Sequence, residues 1–242
     1  MSNTSSQGFG AEYFTKYEDR PFFFHHFVLL ASSMLKKNSK ILEIGCAEGY
    51  LLKRLEDKFE TYGVDVSEHA VKIARKNAVK SRISVQDANN INFSSEKFDM
   101  VIALSILEHL RKPENCIQRC YQILKKDGIL VVQVPNTESI AVTLKGKEWQ
   151  GYRDKTHLSL KSPDEWVKLL KSAGFKIVKT YGDGLTDVPY PRKLFQRNQR
   201  KVFECMRRKN ALHFSWHLRN LQSKFRKMES YTFHTTRKIS HL

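Results

Sequence analysis

The feature that most constrains this chain is a set of short, continuously apolar runs set between longer amphipathic ones. "MVIALSI" (100–106) and "ILVVQV" (129–134) give water almost no polar face. Strands of that kind are expected where helices cover both faces of a parallel sheet. Apolar spacing and turn residues predict strands at 40–44, 61–65, 83–86, 98–104, 128–134 and 175–181. Helical patterns fall between them at 49–58, 67–78, 113–125 and 162–173. Asn38-Ser39, Lys126-Asp127-Gly128 and Ala173-Gly174 punctuate the alternation. Ser162, Pro163 and Glu165 form a capping box that opens the last of these helices. Such alternation predicts a doubly wound α/β fold. Ahead of it, the aromatic-rich stretch from Phe9 to Leu35 reads as one or two helices, the second opening at Pro21. The expected organisation is an N-terminal helical segment, 1–37, followed by a domain at 38–242.

Charge divides the chain unevenly. From Arg192 to Leu242 there are 14 Lys/Arg against two acids, so this last fifth holds +12 of the total of +17. The body before it is nearly balanced. Four scattered cysteines, Cys46, Cys116, Cys120 and Cys205, read as reduced thiols. Cys116 and Cys120 share a helix face but lack a second pair at metal-binding spacing. There is no apolar run long enough to span a bilayer and no basic-then-apolar leader, so the expected location is the cytoplasm.

The first strand runs into "GCAEGY" (45–50), where Gly45, Ala47 and Gly49 fall within five positions. Small residues between a strand and a helix allow a ligand to approach the backbone. Asp65 lies where a dinucleotide site would want its ribose acid. Yet Gly49 comes one position early for G-x-G-x-x-G, the middle position is alanine, and Glu43 precedes the turn where that pattern has no use for an acid.

"LEIGCAEGYLLKRL", "YGVDVS" and "VQDANNINFSSEKFDMVIALSILEHL" occur in order at suitable distances. Over about residues 38–180 the chain resembles the class I S-adenosylmethionine-dependent methyltransferases, in particular the group that includes the ubiquinone-pathway O-methyltransferases. The resemblance implies a mostly parallel seven-stranded sheet with helices on both faces, the Rossmann-like methyltransferase fold. Its last strand would be antiparallel and inserted next to the sixth. It implies S-adenosyl-L-methionine as cofactor. Glu43, Gly45, Cys46, Ala47, Gly49 and Tyr50 then fall in the first motif, with Cys46 a small packed residue at the turn. Asp65 would accept from the ribose hydroxyls and Val66 would pack on the adenine. Asp87 would take the adenine amino group, with Ala88 donating a backbone N–H nearby. Leu104, Ser105 and Ile106 would wall the methionine side.

Methyl transfer from a sulfonium needs positioning and desolvation. A hydroxyl acceptor also needs a base, or a metal that acidifies it. His109 in "SILEHL" and His157 in "GYRDKTHLSL" are the catalytic candidates. In some relatives an acid three residues before a Glu-His pair helps to bind a divalent metal. Here the pair is Glu108-His109 and position 105 is serine, so no metal is expected. The long connection 136–160 holds Trp149, Tyr152 and Arg153, either an acceptor-pocket wall or plain loop packing.

Residues 182–228 read as a basic helical insertion before the last strand. Phe214, Leu218, Leu221, Phe225 and Met228 form a helical stripe there. Its basic face is a solvated surface, a contact with anionic membrane or lipid-linked substrate, or, less favoured, a nucleic-acid contact. The expected function is O-methylation of a small-molecule, sugar or lipid-linked glycan acceptor. RNA methylation and a non-catalytic cofactor-binding module are the alternatives.

Overall fold

The structure, a computed structural model, describes residues 21–182 and 231–239. Chain order is α1 (Pro21–Met34), β1 (Lys40–Ile44), α2 (Tyr50–Leu55), β2 (Glu60–Asp65), α3 (Glu68–Asn77), β3 (Arg82–Val85) and β4 (Phe98–Leu104). There follow a one-turn 3-10 helix (Leu107–His109), α4 (Pro113–Ile123) and β5 (Leu124–Pro135). The rest is α5 (Ile140–Lys145), α6 (Gln150–Arg153), α7 (Pro163–Ser172), β6 (Phe175–Gly182) and β7 (Tyr231–Lys238).

The seven strands lie in the order β3-β2-β1-β4-β5-β7-β6. All pairings are parallel except those of β7, which is antiparallel to both β5 and β6. The chain builds outward from β1 to β3, then crosses back to β4 on the other side of β1. That reversal makes the carboxyl ends of β1 and β4 the place where a ligand fits.

Alternation along the strands sends side chains to two helical layers. Leu42, Ile44, Val101, Ala103, Leu130 and Val132 pack with Ile117 and Ile123 of α4 and Trp166 and Leu170 of α7. Ile41, Met100, Ile102 and Val131 face the other way, onto Phe27 and Ala31 of α1 and Leu51 and Leu55 of α2. The leading helix is thus packed on the sheet through a shared core. Both layers are needed to bury strands with no polar side, as their composition requires. Ser162 accepts from the Glu165 N–H and Glu165 accepts from the Ser162 N–H, so the capping box forms.

Three sequence expectations need correction. The helix expected over 113–125 stops at Ile123, and the strand begins at Leu124 rather than 128. The Lys126-Asp127-Gly128 signal is a bulge inside β5: pairing jumps from Phe98↔Leu124 to Met100↔Ile129, with Asp127 at φ +59°. A salt bridge from Lys125 Nζ to Asp99 Oδ1 (2.9 Å) fastens that bulge to β4. The helix expected over 49–58 spans only Tyr50–Leu55. Residues 136–160 are not one loop, since they contain α5, a 3-10 turn and α6. Ser139 starts α5 by accepting from the Val142 N–H. The helical stripe expected at 214–228 lies outside the described residues.

Candidate active site at the carboxyl end of the sheet

Beyond β1 the backbone passes through Gly45 (φ +71°), Ala47 (φ +45°) and Gly49 (φ +77°). Glycine enters this left-handed region without steric cost. Each glycine also answers to packing. A Cβ on Gly45 would stand 1.9 Å from Ile106 Cδ1, and one on Gly49 would stand 3.0 Å from the Cβ of Ala74 in α3. Gly45 therefore lets the turn after β4 close onto the turn after β1, across the switch point.

Ala47 is held in its unusual conformation by Asp65. The carboxylate accepts the Ala47 N–H at Oδ2 (2.9 Å) and the Ser67 N–H at Oδ1 (2.9 Å). A carboxylate has about four lone-pair positions, so both oxygens can accept again. Burial raises the Asp65 pKa, against the lowering effect of the backbone donors of Ser67, Ala47 and Val66. Glu43 is buried on β1, and its Oε2 has no hydrogen-bond partner. Burial, and secondarily Asp65, pushes its pKa well up. An unpartnered buried oxygen beside a carboxylate with spare acceptor capacity suits a ligand that brings hydroxyl and cationic groups. The ribose and the aminoacyl end of S-adenosylmethionine supply both.

The other expected cofactor residues are distributed around these two. Cys46 turns its side chain into the α2–α3 cluster with Leu52, Val71 and Ala74, so only its backbone belongs to the turn. Tyr50 opens α2 and is half-buried, and its carbonyl accepts from Arg54 Nη1 (2.7 Å). Val66 is half-buried next to Asp65. Asp87 follows β3, and its Oδ1 accepts from both the backbone N–H and the Nδ2 of Asn89 (2.8 Å each), closing its own turn. Ala88 leans on the larger core cluster. Leu104 packs toward the α1 layer. Ser105 sits at φ +52° and donates its N–H to the Gln133 carbonyl on β5 (3.0 Å). Non-glycine residues in this region cost of order 1–3 kcal/mol and gather at ligand sites. Ala47 and Ser105 are two of them, one on each side of the switch point.

The structure brings His109 and His157 together, with ring centroids 4.8 Å apart. His109 ends the 3-10 turn after β4. His157 lies in the segment after α6, which is fastened to that turn by two bonds: the N–H groups of Leu158 (2.8 Å) and Ser159 (2.9 Å) both donate to the Glu108 carbonyl. His157 Nδ1 meets the Gly151 carbonyl at 2.7 Å. A carbonyl only accepts, so Nδ1 bears a proton. His157 Nε2 lies 3.8 Å from Asp154 Oδ2. Burial first, then the neighbouring His157, lowers the His109 pKa to about 4, so its imidazole is neutral at ordinary pH. Asp154 stays below the usual carboxylate range: burial opposes its ionisation, but the two hydrogen bonds from Thr156 together with His157 and His109 outweigh it.

In the sequence Asp154 and Thr156 belong to an Asp…Thr-His-x-Ser element with no role of their own, and Glu108 enters only through the Glu108-His109 pair weighed for a metal. The D-x-T spacing of 154–156, in which an acid caps its own turn, was the available signal. The Glu108 carboxyl is fully buried, neither oxygen has a partner, and burial raises its pKa to about 8. Glu108, His109 and His157 each offer one ligand atom, all within 4.8 Å of one another. Serine at 105 weakens the metal motif read from the sequence, while in the fold His157 stands with Glu108 and His109. Trp149, expected either as a pocket wall or as plain loop packing, is buried. Its ring is edge-on to Tyr152 at 5.0 Å, and the half-exposed Tyr152 and exposed Arg153 face outward.

A methyltransferase domain family model matches residues 16–180, most of the chain. The chain belongs to that family. It is the class I S-adenosylmethionine-dependent group that the ordered motifs resemble. An uncharacterized protein of Methanocaldococcus jannaschii is 29% identical over 141 residues, covering 57% of this chain and 65% of the relative. The ubiquinone biosynthesis O-methyltransferase of Dinoroseobacter shibae is 29% identical over 157 residues, covering 60% of this chain and 63% of the relative. The matched region thus spans a little under two thirds of these relatives. Among solved structures, phosphoethanolamine N-methyltransferase 2 of Haemonchus contortus in complex with S-adenosyl-L-methionine superposes with a TM-score of 0.58 at 17% identity, covering 93% of this chain and 58% of that one. At that identity the likeness concerns the fold.

Proposed function

We propose that this methyltransferase uses S-adenosylmethionine to methylate a hydroxyl group of a small-molecule, sugar or lipid-linked acceptor. The observation that supports the hydroxyl is the neutral imidazole of His109, beside the ring of His157, at the carboxyl end of β4. Transfer to a hydroxyl leaves a protonated ether oxygen, an acid far stronger than imidazolium. Even a base with a pKa of about 4, as for His109, takes that proton readily, whereas a neutral amine acceptor has less need of a base. When bound, the cofactor supplies an activated methyl group. Glu43, Asp65 and the 45–50 turn would hold it, with Asp87 at the adenine end and Leu104 to Ile106 along the methionine. His109 receives the acceptor proton, and His157 shares the desolvated pocket.

A second reading, RNA as acceptor, draws on charge. Residues 183–230 contain 12 Lys/Arg against four acids. In the described residues β6 ends at Gly182 and β7 begins at Tyr231, which pairs with Pro135 at the carboxyl end of β5. Association with an anionic membrane has the same charge behind it. No helix among the described residues is long and apolar enough to cross a membrane.

The test is a screen with a methyl-labelled donor against catechols, nucleotide sugars, lipid-linked pyrophosphates and RNA, after calorimetry with S-adenosylhomocysteine. Label appearing as an ether that His109→Ala no longer makes supports the reading. Label appearing only on nitrogen, or NAD binding in place of S-adenosylhomocysteine, would sink it.

A further inference from the structure

We propose that Asp154 and Thr156 are positioning residues that lock His109 in the tautomer with its proton on Nδ1 and its lone pair on Nε2. This deepens, and rests on, the reading of His109 as the base. The argument follows the direction of each hydrogen bond. The Asp154 carboxylate can only accept. Its Oδ1 takes the Thr156 N–H at 2.9 Å and the Thr156 hydroxyl at 2.5 Å. Thr156 has one hydroxyl proton, and it is committed to Asp154. Its Oγ1 therefore meets His109 Nδ1, at 2.9 Å, as an acceptor. The Thr156 carbonyl, also an acceptor, lies 3.2 Å from the same nitrogen. Two acceptors converge on Nδ1, so Nδ1 is the N–H. The opposite tautomer would set its lone pair against a carbonyl oxygen and a hydroxyl oxygen together.

An acid that fixes the tautomer of a base by accepting from its Nδ1–H acts without touching the reacting atoms. Here a threonine hydroxyl stands between the acid and the ring. It arrives from 47 residues along the chain. The backbone bonds from Leu158 and Ser159 to the Glu108 carbonyl dock this segment without the Thr156 hydroxyl. Thr156→Val should therefore fold with the segment in place.

The experiment uses the full chain with 15N-labelled histidine, saturated with S-adenosylhomocysteine. Nitrogen chemical shifts report each ring's tautomer, and His109→Gln identifies the residue's signals. The parent should show Nδ1–H at His109. Thr156→Val should show Nε2–H or a mixture, and Thr156→Ser should restore the parent pattern. Asp154→Asn should weaken the preference in the same direction. Turnover of a catechol probe should fall at least about 10-fold in Thr156→Val, the scale seen when a metal-ligating histidine loses its outer partner. The KM for S-adenosylmethionine should not change. An unaltered Nδ1–H signature in Thr156→Val overturns the proposal, and so does failure of Thr156→Ser to restore it. A changed tautomer with unchanged turnover supports the positioning device while defeating the reading of His109 as base.

Discussion

The two sides of the cleft are held by different means. On the β1–β3 side, Asp65 reaches the Ala47 N–H across 18 residues, and the geometry is mostly backbone: positive φ at 45, 47 and 49, and carboxylate-to-amide bonds. On the β4–β5 side, Thr156 reaches His109 across 47 residues, through side chains. A backbone cradle suits a methyl donor that is the same molecule in every turnover, because its shape follows from local sequence. A side-chain strap can change with the acceptor while leaving the cradle alone. The comparison predicts that variants on one side spare the function of the other.

The largest effect is expected from the strap side. His109→Ala should lower turnover by about 10²–10⁴-fold, the usual contribution of a positioned base. S-adenosylhomocysteine affinity, measured by calorimetry, should stay within about twofold. A joint loss of turnover and cofactor affinity would mean the two sides are not separable. Asp65→Ala tests the cradle. Losing a charged acceptor for the ribose should cost about 1.5–3 kcal/mol, or roughly 10- to 150-fold in S-adenosylhomocysteine affinity. The ring contact between His109 and His157 should persist.

Glu108 sharpens the comparison through pH. Its folded-state pKa of about 8 lies above the ordinary value of 4.5. Below the ordinary value the carboxyl is neutral in both states. Rising pH ionises the unfolded chain first, so stability falls until the folded-state pKa is passed, then levels. The lowered pKa of His109 acts oppositely, adding stability as pH rises from about 4 to 6.5. Glu108→Gln should remove the fall between about pH 4.5 and 8, a difference of about 2–4 kcal/mol between pH 5 and pH 8. Urea unfolding with a chelator present measures it. Equal pH slopes in parent and variant would place the buried charge elsewhere.

The smallest effect is expected from Arg207, Arg208 and Lys209, which lie outside the described residues. Replacing all three by Gln should leave S-adenosylhomocysteine affinity within about twofold, since the residues expected to hold the cofactor all lie between Glu43 and Ile106. Retention on RNA or on anionic liposomes should decrease if the acceptor or membrane is recognised by charge. A steep salt dependence would favour RNA.

The strands without a polar side, the 45–50 turn and Asp65 were legible in the sequence because each is a local requirement. A two-sided apolar strand needs two helical layers, and a left-handed turn needs glycine. Even so, the reason given for Gly45 was incomplete, because Ile106 occupies the space its Cβ would need. The bulge at 125–128 was hidden, since Lys-Asp-Gly suits a turn and a bulge equally, and only pairing with Phe98 and Met100 selects one.

By itself, the sequence determined the fold class, the order of the motifs and the presence of two candidate histidines. Periodicity and turn chemistry act over a few residues, so they can be read in one dimension. The tertiary structure alone decided that those histidines stand side by side, that Glu108 is buried beside them, and that Asp154 and Thr156 direct the proton on His109. Those facts depend on burial and on hydrogen bonds between segments distant along the chain. Nothing in the local pattern of "LEHL" or "DKTHL" encodes the 4.8 Å between the two rings.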